Sequence, residues 1–326
     1  MNISRLILPL LFALPAPAQV HLLKQQNLKR WGIVPANYSG ITPLGNCRYA
    51  LVSDKESRDG FYEVEIVQDS ITGRVTHVRS VAFHGNGLPA RDAEGIAYCP
   101  QRGTLFISAE DDQQILEYTV KGERTGHCLQ VPALFGTDNL YPNFGFEALG
   151  FDSLSGTFWT TTENALRSDS PLSTQNGGQA VNLRLQQFNL QGEPMLQQTY
   201  PLDIPLLKKK ARTVAHGVVA VTPLGDGSLL VLEREFLVTP QKLGSYVFCR
   251  LYRWDTRTQK KTLQTEWYSK AGFRKKKAIA NYEGMCLGIK LADGSQTILL
   301  INDSQGGYGN KLIHLKDYIR VGIIPT

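Results

Sequence analysis

The chain has 326 residues, 42% of them hydrophobic and 20% charged, a globular composition that excludes disordered and fibrous classes. Thirty-five Lys and Arg against 29 Asp and Glu leave a formal charge of +6, a modest basic excess that suits a polyanionic partner without requiring one. Thirty Gly and 16 Pro interrupt the chain too often for long helices and point to an all-β, turn-rich fold.

The N-terminus, MNISRLILPLLFALPAPAQ, has one Arg, an apolar run from Leu6 to Leu14, and small residues Ala16 and Ala18 around Pro17. This pattern predicts a signal peptide over residues 1–18, cut after Ala18. A membrane anchor is the alternative, but the apolar run falls well short of the roughly 20 residues that span a bilayer. No Cys follows the cut to carry a lipid, and no later stretch is long and apolar enough to cross a membrane. Residues 19–326 are therefore expected to form a single exported domain, periplasmic or extracellular, acting as a monomer.

Beyond that point the chain repeats itself. A first short segment recurs as YSGITPL (38–44), DAEGIAY (92–98), FGFEALGF (144–151), VAHGVVAV (214–221) and NYEGMCLG (281–288). Each is followed by a β-rich run ending in an acid: YALVSD (49–54), LFISAE (105–110), FWTTTE (158–163), LLVLE (229–233) and ILLIND (298–303). Third runs follow as FYEVEIV, ILEYTV, LRLQQFNL, RLYRW and KLIHL, and fourth strands fit VRSVAF, GHCLQV, MLQQTYPL and TEWYSK. Three or four antiparallel strands repeated about every 50 to 70 residues describe the blades of a β-propeller. A sandwich would not place an acid at the same point of each repeat; a solenoid is the alternative repeat architecture. The chain has room for a six-bladed ring at about 50 residues per blade, although five repeats are visible. VHLLKQQNLKRWGI, ahead of Tyr38, and the C-terminal IRVGIIP are expected to meet where the ring closes. The polar stretch 166–182 is expected to be a loop inserted within one blade.

Aligned repeats put Ser39, Glu94, Glu147, His216 and Glu283 in one column, and Asp54, Glu110, Glu163, Glu233 and Asp303 in a second. The innermost strands of a propeller line its axis, so these acids would converge at one end of a central channel. Like charges that close raise one another's pKa values, and burying them is costly unless a cation, Lys, Arg or backbone N–H groups offset the repulsion. Oxygen ligands without a Cys or His cluster select calcium or magnesium over zinc or copper. The structural alternative is that each Glu caps backbone groups or pairs with Arg, knitting adjacent blades together. Cys47, Cys99, Cys128, Cys249 and Cys286 are odd in number and widely spaced; they read as small apolar strand residues, with one or two disulfides open to an exported chain.

The segments DAEGIAY, NFGFEALGF and NYEGMCLG, with ALVSDKES and GSLLVLERE, resemble the phytase-like domain described as having esterase-like activity of phytase, from about Tyr38 to Gly309. Such domains are similar in architecture to β-propeller phytases, which hold calcium with channel carboxylates and cleave phosphate esters. The resemblance implies a metal-binding centre drawn from Asp54, Glu94, Glu147, Glu233 and Glu283. It implies catalytic roles for Glu94, Glu147, Glu283 and Arg234, with Lys55 or Arg91 also able to meet phosphate oxygens. The Asp-Asp-Pro-Ala-Ile type of segment that marks well-characterised β-propeller phytases is absent, so their calcium ligands do not transfer residue by residue.

Calcium-dependent hydrolysis of a small phosphorylated ester is accordingly the expected activity. The alternatives are a lactonase- or glycosidase-type propeller hydrolase and a propeller that binds without catalysis. The basic runs KKKAR (208–212) and FRKKK (273–277) would steer a polyphosphorylated substrate, or else are solvated loops. No GxSxG elbow or Walker A sequence is present, and the basic runs lack the interleaved aromatics of a nucleic-acid groove.

Overall fold

The computed structural model describes residues 19–34, 36–240, 244–270, 279–303 and 316–326. Five antiparallel sheets form five blades around one axis. Blade 1 comprises Tyr38–Gly45, Arg48–Ser53, Arg58–Gln68 and Val75–Pro89, and blade 2 comprises Ala93–Cys99, Thr104–Ala109, Ile115–Thr119 and Arg124–Cys128. Blade 3 contains Phe146–Asp152, Thr157–Thr162, Val181–Phe188 and Pro194–Leu202, and blade 4 contains Thr213–Pro223, Ser228–Val238, Tyr246–Asp255 and Lys260–Lys270. Blade 5 joins both ends of the chain, because Asn281–Lys290, Gln296–Asp303 and Tyr318–Ile324 are completed by the N-terminal His21–Leu22, with Gln26–Asn27 also on Tyr318–Ile324. The expected meeting of the two termini is thus the seam that closes the ring.

The core is not one mass but five apolar seams, one between each pair of neighbouring blades. Strand alternation makes this possible: Tyr49 and Leu51 pack toward blade 5, while Ala50 and Val52 pack toward blade 2. With both faces of a blade covered, its second strand reads as an unbroken apolar run, as in Leu229–Leu232 and Ile298–Ile301.

The ring has five blades, not six. The residues available for a sixth are spent on the tall strands of blade 4 and on long connections such as 129–145 and 163–180. The third strand of blade 5 is Tyr318–Ile324; the expected strand 311–315, the basic run 273–277 and the signal segment 1–18 lie outside the described residues. All five cysteines are free, which removes the expectation of disulfides. No helix among the described residues is long and apolar enough to cross a membrane.

The two faces of the ring differ. Hairpins such as 46–47, 69–74, 100–103 and 224–227 are short and lie where the inner strands end. At the face where the inner strands begin lie 54–57, 110–114, 163–180, 129–145 and 203–212, and long loops on a rigid scaffold are where binding chemistry usually resides. A ring of buried Ile41, Ile96, Leu149, Val221 and Met285 plugs the axis between the faces. Below it Pro43, Tyr98, Phe151, Pro223 and Leu287 line a cup of about 180 Å³. This ring separates the cup from the acidic end of the axis, where the space between the inner strands is about 10 Å³.

Candidate functional site

In every blade the ladder between the first and second strands skips one inner-strand residue: Ser39, Glu94, Glu147, Val219 and Glu283. A bulge of this kind leaves the extra residue unpaired and re-aims its side chain, and all five line the central cavity. A small residue follows each bulge because the neighbouring blade crowds it. A Cβ on Gly40 would lie 2.5 Å from the Glu94 carbonyl oxygen, and one on Gly284 3.0 Å from that of Ser39. Gly40→Ala is therefore expected to wedge blades 1 and 2 apart and lower stability by about 1–3 kcal/mol, as read by chemical denaturation.

Blade 4 departs from the register read in the sequence. Val219, not His216, occupies its bulge, and the residue following the paired position on the second strand is Arg234, not Glu233; the other blades place Asp54, Glu110, Glu163 and Asp303 there. His216 instead holds the 163–180 loop: Ser173 Oγ is 2.9 Å from its Nδ1, and Asn164 Nδ2 donates to its carbonyl oxygen at 2.6 Å. Burial, with Arg250 and Arg234 nearby, pushes its pKa down to about 3, so the ring is neutral. Glu233 lies outside the central cluster, accepting from Tyr200 Oη at 2.9 Å and Lys261 Nζ at 2.5 Å. Arg91 is likewise engaged elsewhere, forked onto Asp112 at 2.7 Å through Nε and Nη2. Glu233 and Arg91 match the structural alternative, knitting strands and loops together.

The residues that do converge form two groups. On the blade 3 to 5 side, the buried Arg234 guanidinium donates to Glu283 Oε1 at 2.7 Å and lies 3.3 Å from Glu163 Oε1. Asn281 Nδ2 also donates to Glu283 Oε1, at 2.7 Å. Arg234 is the cation that the acidic column requires, supplied by blade 4, whose bulge carries Val219 rather than an acid. It does not discharge the group. Burial chiefly, and Arg234 in opposition, leave Glu163 at about 7. Burial, then the charges of Glu163, Glu283 and Glu110, hold the Glu147 carboxyl well above the usual range. Burial and Asp303 do the same for Glu283.

On the blade 1 to 2 side, one carboxylate oxygen each of Asp54, Asp92 and Glu94 lies within 4.8 Å of the others. Glu94 is 7% exposed, with no hydrogen bond to its carboxylate among the described residues, and Asp54 Oδ1 is buried and unpartnered. Burial, then Glu147, Asp54, Glu283 and Asp92, push the Glu94 pKa well up. Lys55 Nζ contacts Asp54 and lies 3.9 Å from Asp92. Three convergent carboxylates, one of them buried and unpaired, fit a hard divalent cation bound through oxygen. Asp92 was not among the residues singled out by the repeats. It stands two residues before Glu94, with φ 57° at the entry to the inner strand, and its place at the head of DAEG was the available signal.

The exposed Lys208, Lys209, Lys210 and Arg212 precede the inner strand of blade 4, on the same face as these acids. That blade stands above its neighbours: its ladder continues past Arg234 to the pairing of Thr213 with Val238.

No curated protein matches the sequence. Among solved structures the chain is similar to a streptogramin B lyase, at 14% identity over 93% of this chain and 97% of that one, with a TM-score of 0.38. It is also similar to a luciferin-regenerating enzyme, at 10% identity over 94% and 98% with a TM-score of 0.44. The α-L-arabinofuranosidase of Podospora anserina in complex with cellotriose is similar at 9% identity over 95% and 98%, with a TM-score of 0.46. The model of the phytase-like family, described as esterase-like activity of phytase, matches residues 36–305. That span runs from just before the first inner strand to just past Asp303 of the second acidic column, and the chain belongs to this family.

Proposed function

We propose that the chain is an exported, calcium-dependent hydrolase of small phosphoric esters, with its reacting centre at the acidic end of the channel. The observation that carries this reading is the convergence of Asp54, Asp92 and the unpartnered, buried Glu94 on the face that bears the long loops. These three residues would hold the cation, which when bound supplies Lewis-acid polarisation of a phosphoryl oxygen and acidifies a coordinated water. Glu147 lines the same cavity as Glu94, and burial with the neighbouring acids favours its protonated form, so it is the acid for a departing alkoxide. Glu163, at about 7, exchanges its proton near neutrality and serves as the companion base. Arg234 holds Glu163 and Glu283 in place as a positioning residue, and the basic run 208–212 attracts the anionic substrate.

The test is phosphate release from phytate and from an aryl phosphate by purified mature protein, with calcium and then with chelator. Chelator-sensitive release is expected. Absence of release from folded protein under both conditions would overturn the reading. A second reading, a propeller that binds without catalysis, is favoured by the number of acids already engaged: Glu283 and Glu163 with Arg234, Glu110 with the Gly145 N–H at 2.7 Å, and Glu233 with Lys261. Calcium binding without turnover would select it.

A further inference from the structure

The cation position proposed above is already attended by a positive charge. Lys55 Nζ contacts Asp54, lies 3.9 Å from Asp92, and is within electrostatic reach of Glu94. It thus faces all three carboxylates of the candidate cation site. Yet its side chain is 63% exposed while that of Asp54 is 10% exposed, so the ammonium has a path into water, and a divalent cation that replaces it keeps the buried carboxylate compensated. Arg234, the second cation near these acids among the described residues, has no such freedom, being 4% exposed and tied to two acids.

We propose that Lys55 is a displaceable counter-ion: in the metal-free protein it neutralises Asp54 and Asp92, a divalent cation expels it, and the freed ammonium then binds the anionic group of the substrate. Two cations crowded onto the same carboxylates repel each other, so Lys55 opposes metal binding. Once the metal has taken those oxygens, the ammonium has lost its partners and stands at the open side of the site, where an anion restores neutrality. Anion recognition at this centre is thereby conditional on the metal. The inference rests on the calcium-site reading, but it concerns a residue that reading leaves without a task.

Calorimetric titration of the whole mature chain with calcium, and of the calcium-saturated chain with inorganic phosphate, tests both. Lys55→Met is expected to bind calcium more tightly, on the order of tenfold, and the calcium-loaded variant to bind phosphate more weakly by a similar factor. Lys55→Arg, which keeps the charge, is expected to stay near wild type in both titrations. Because Lys55 is exposed, neither variant should unfold the protein. Wild-type calcium binding with unchanged or weaker binding by Lys55→Met overturns the displacement, and unchanged phosphate affinity overturns the anion role. If neither wild type nor Lys55→Met binds calcium, the calcium-site reading falls and takes this inference with it.

Discussion

Replacing Arg234 with Met is expected to destabilise the folded chain by about 3–5 kcal/mol, because it leaves buried carboxylates without their counter-charge. Arg234 bridges Glu163 of blade 3 and Glu283 of blade 5 from its own place in blade 4, so one substitution removes the link across three blades. The surrounding shell offers little relief. Glu163 Oε1 accepts no hydrogen bond, and the Asn281 amide already donates to Glu283. Neutralising the acids should restore much of the loss, so the triple variant Arg234→Met, Glu163→Gln, Glu283→Gln is expected to be more stable than Arg234→Met alone. Urea denaturation at neutral pH reads both. An unchanged midpoint for Arg234→Met would mean that the channel acids are neutral or solvated, and that Arg234 compensates nothing.

Stability in chelator is expected to fall as the pH rises from about 5 to 7.5, against the usual behaviour of paired carboxylates. Glu94, Glu147 and Glu283 are held well above their ordinary 4.5, Glu163 at about 7 and Glu233 at about 6. Each binds its proton more tightly folded than unfolded, so through this window the native state carries more protons and loses stability as they leave. His216, pushed down to about 3 from 6.5, acts in the opposite direction between those values, but it is one group against five. Below about 4.5 the balance reverses, because Glu56 and Glu117, lowered to about 2, lose their paired charge as the pH falls through their folded values. The stability maximum in chelator should therefore lie near pH 5, with Tm lower at pH 7.5 by on the order of 5 °C. Saturating calcium should flatten the slope, because a cation binds the deprotonated carboxylates and stabilises most where they are ionised. Differential scanning calorimetry at both pH values, with calcium and with chelator, checks this. A Tm that rises from pH 5 to 7.5 in chelator would contradict it.

The architecture was legible because a blade is a local unit: four strands, short hairpins and an acid at a fixed point recur in the order of the chain. The blade number was not. Length alone does not distinguish a sixth blade from long connections and tall strands, and the strand that closes blade 5 comes from the other end of the chain. Within the site, the bulge residues Glu94, Glu147 and Glu283 could be read from EG and FEAL. Blade 4 was misaligned because His216-Gly217 mimics that pattern. The better signal was the pair ITPLG (41–45) and VTPLG (221–225), which aligns Val219 with Ser39 and so brings Arg234 into the acidic column. The TPLG match has a physical basis. Thr42 Oγ1 accepts from the Tyr98 N–H at 3.0 Å, and Thr222 Oγ1 donates to the Met285 carbonyl at 2.9 Å, each bridging to the next blade. The split into a carboxylate triad on one side and an arginine-neutralised group on the other arises only when strands distant in sequence meet around the axis.

The most direct test of the cation site is diffraction from crystals of the mature protein grown with calcium, or exchanged with terbium for a stronger anomalous signal. The expected result is one anomalous peak between Asp54, Asp92 and Glu94, at about 2.3–2.6 Å from their oxygens, with the Lys55 ammonium moved off Asp54. A peak on the axis between Glu147 and Glu283, or none at the acidic end of the axis at saturating cation, would contradict it.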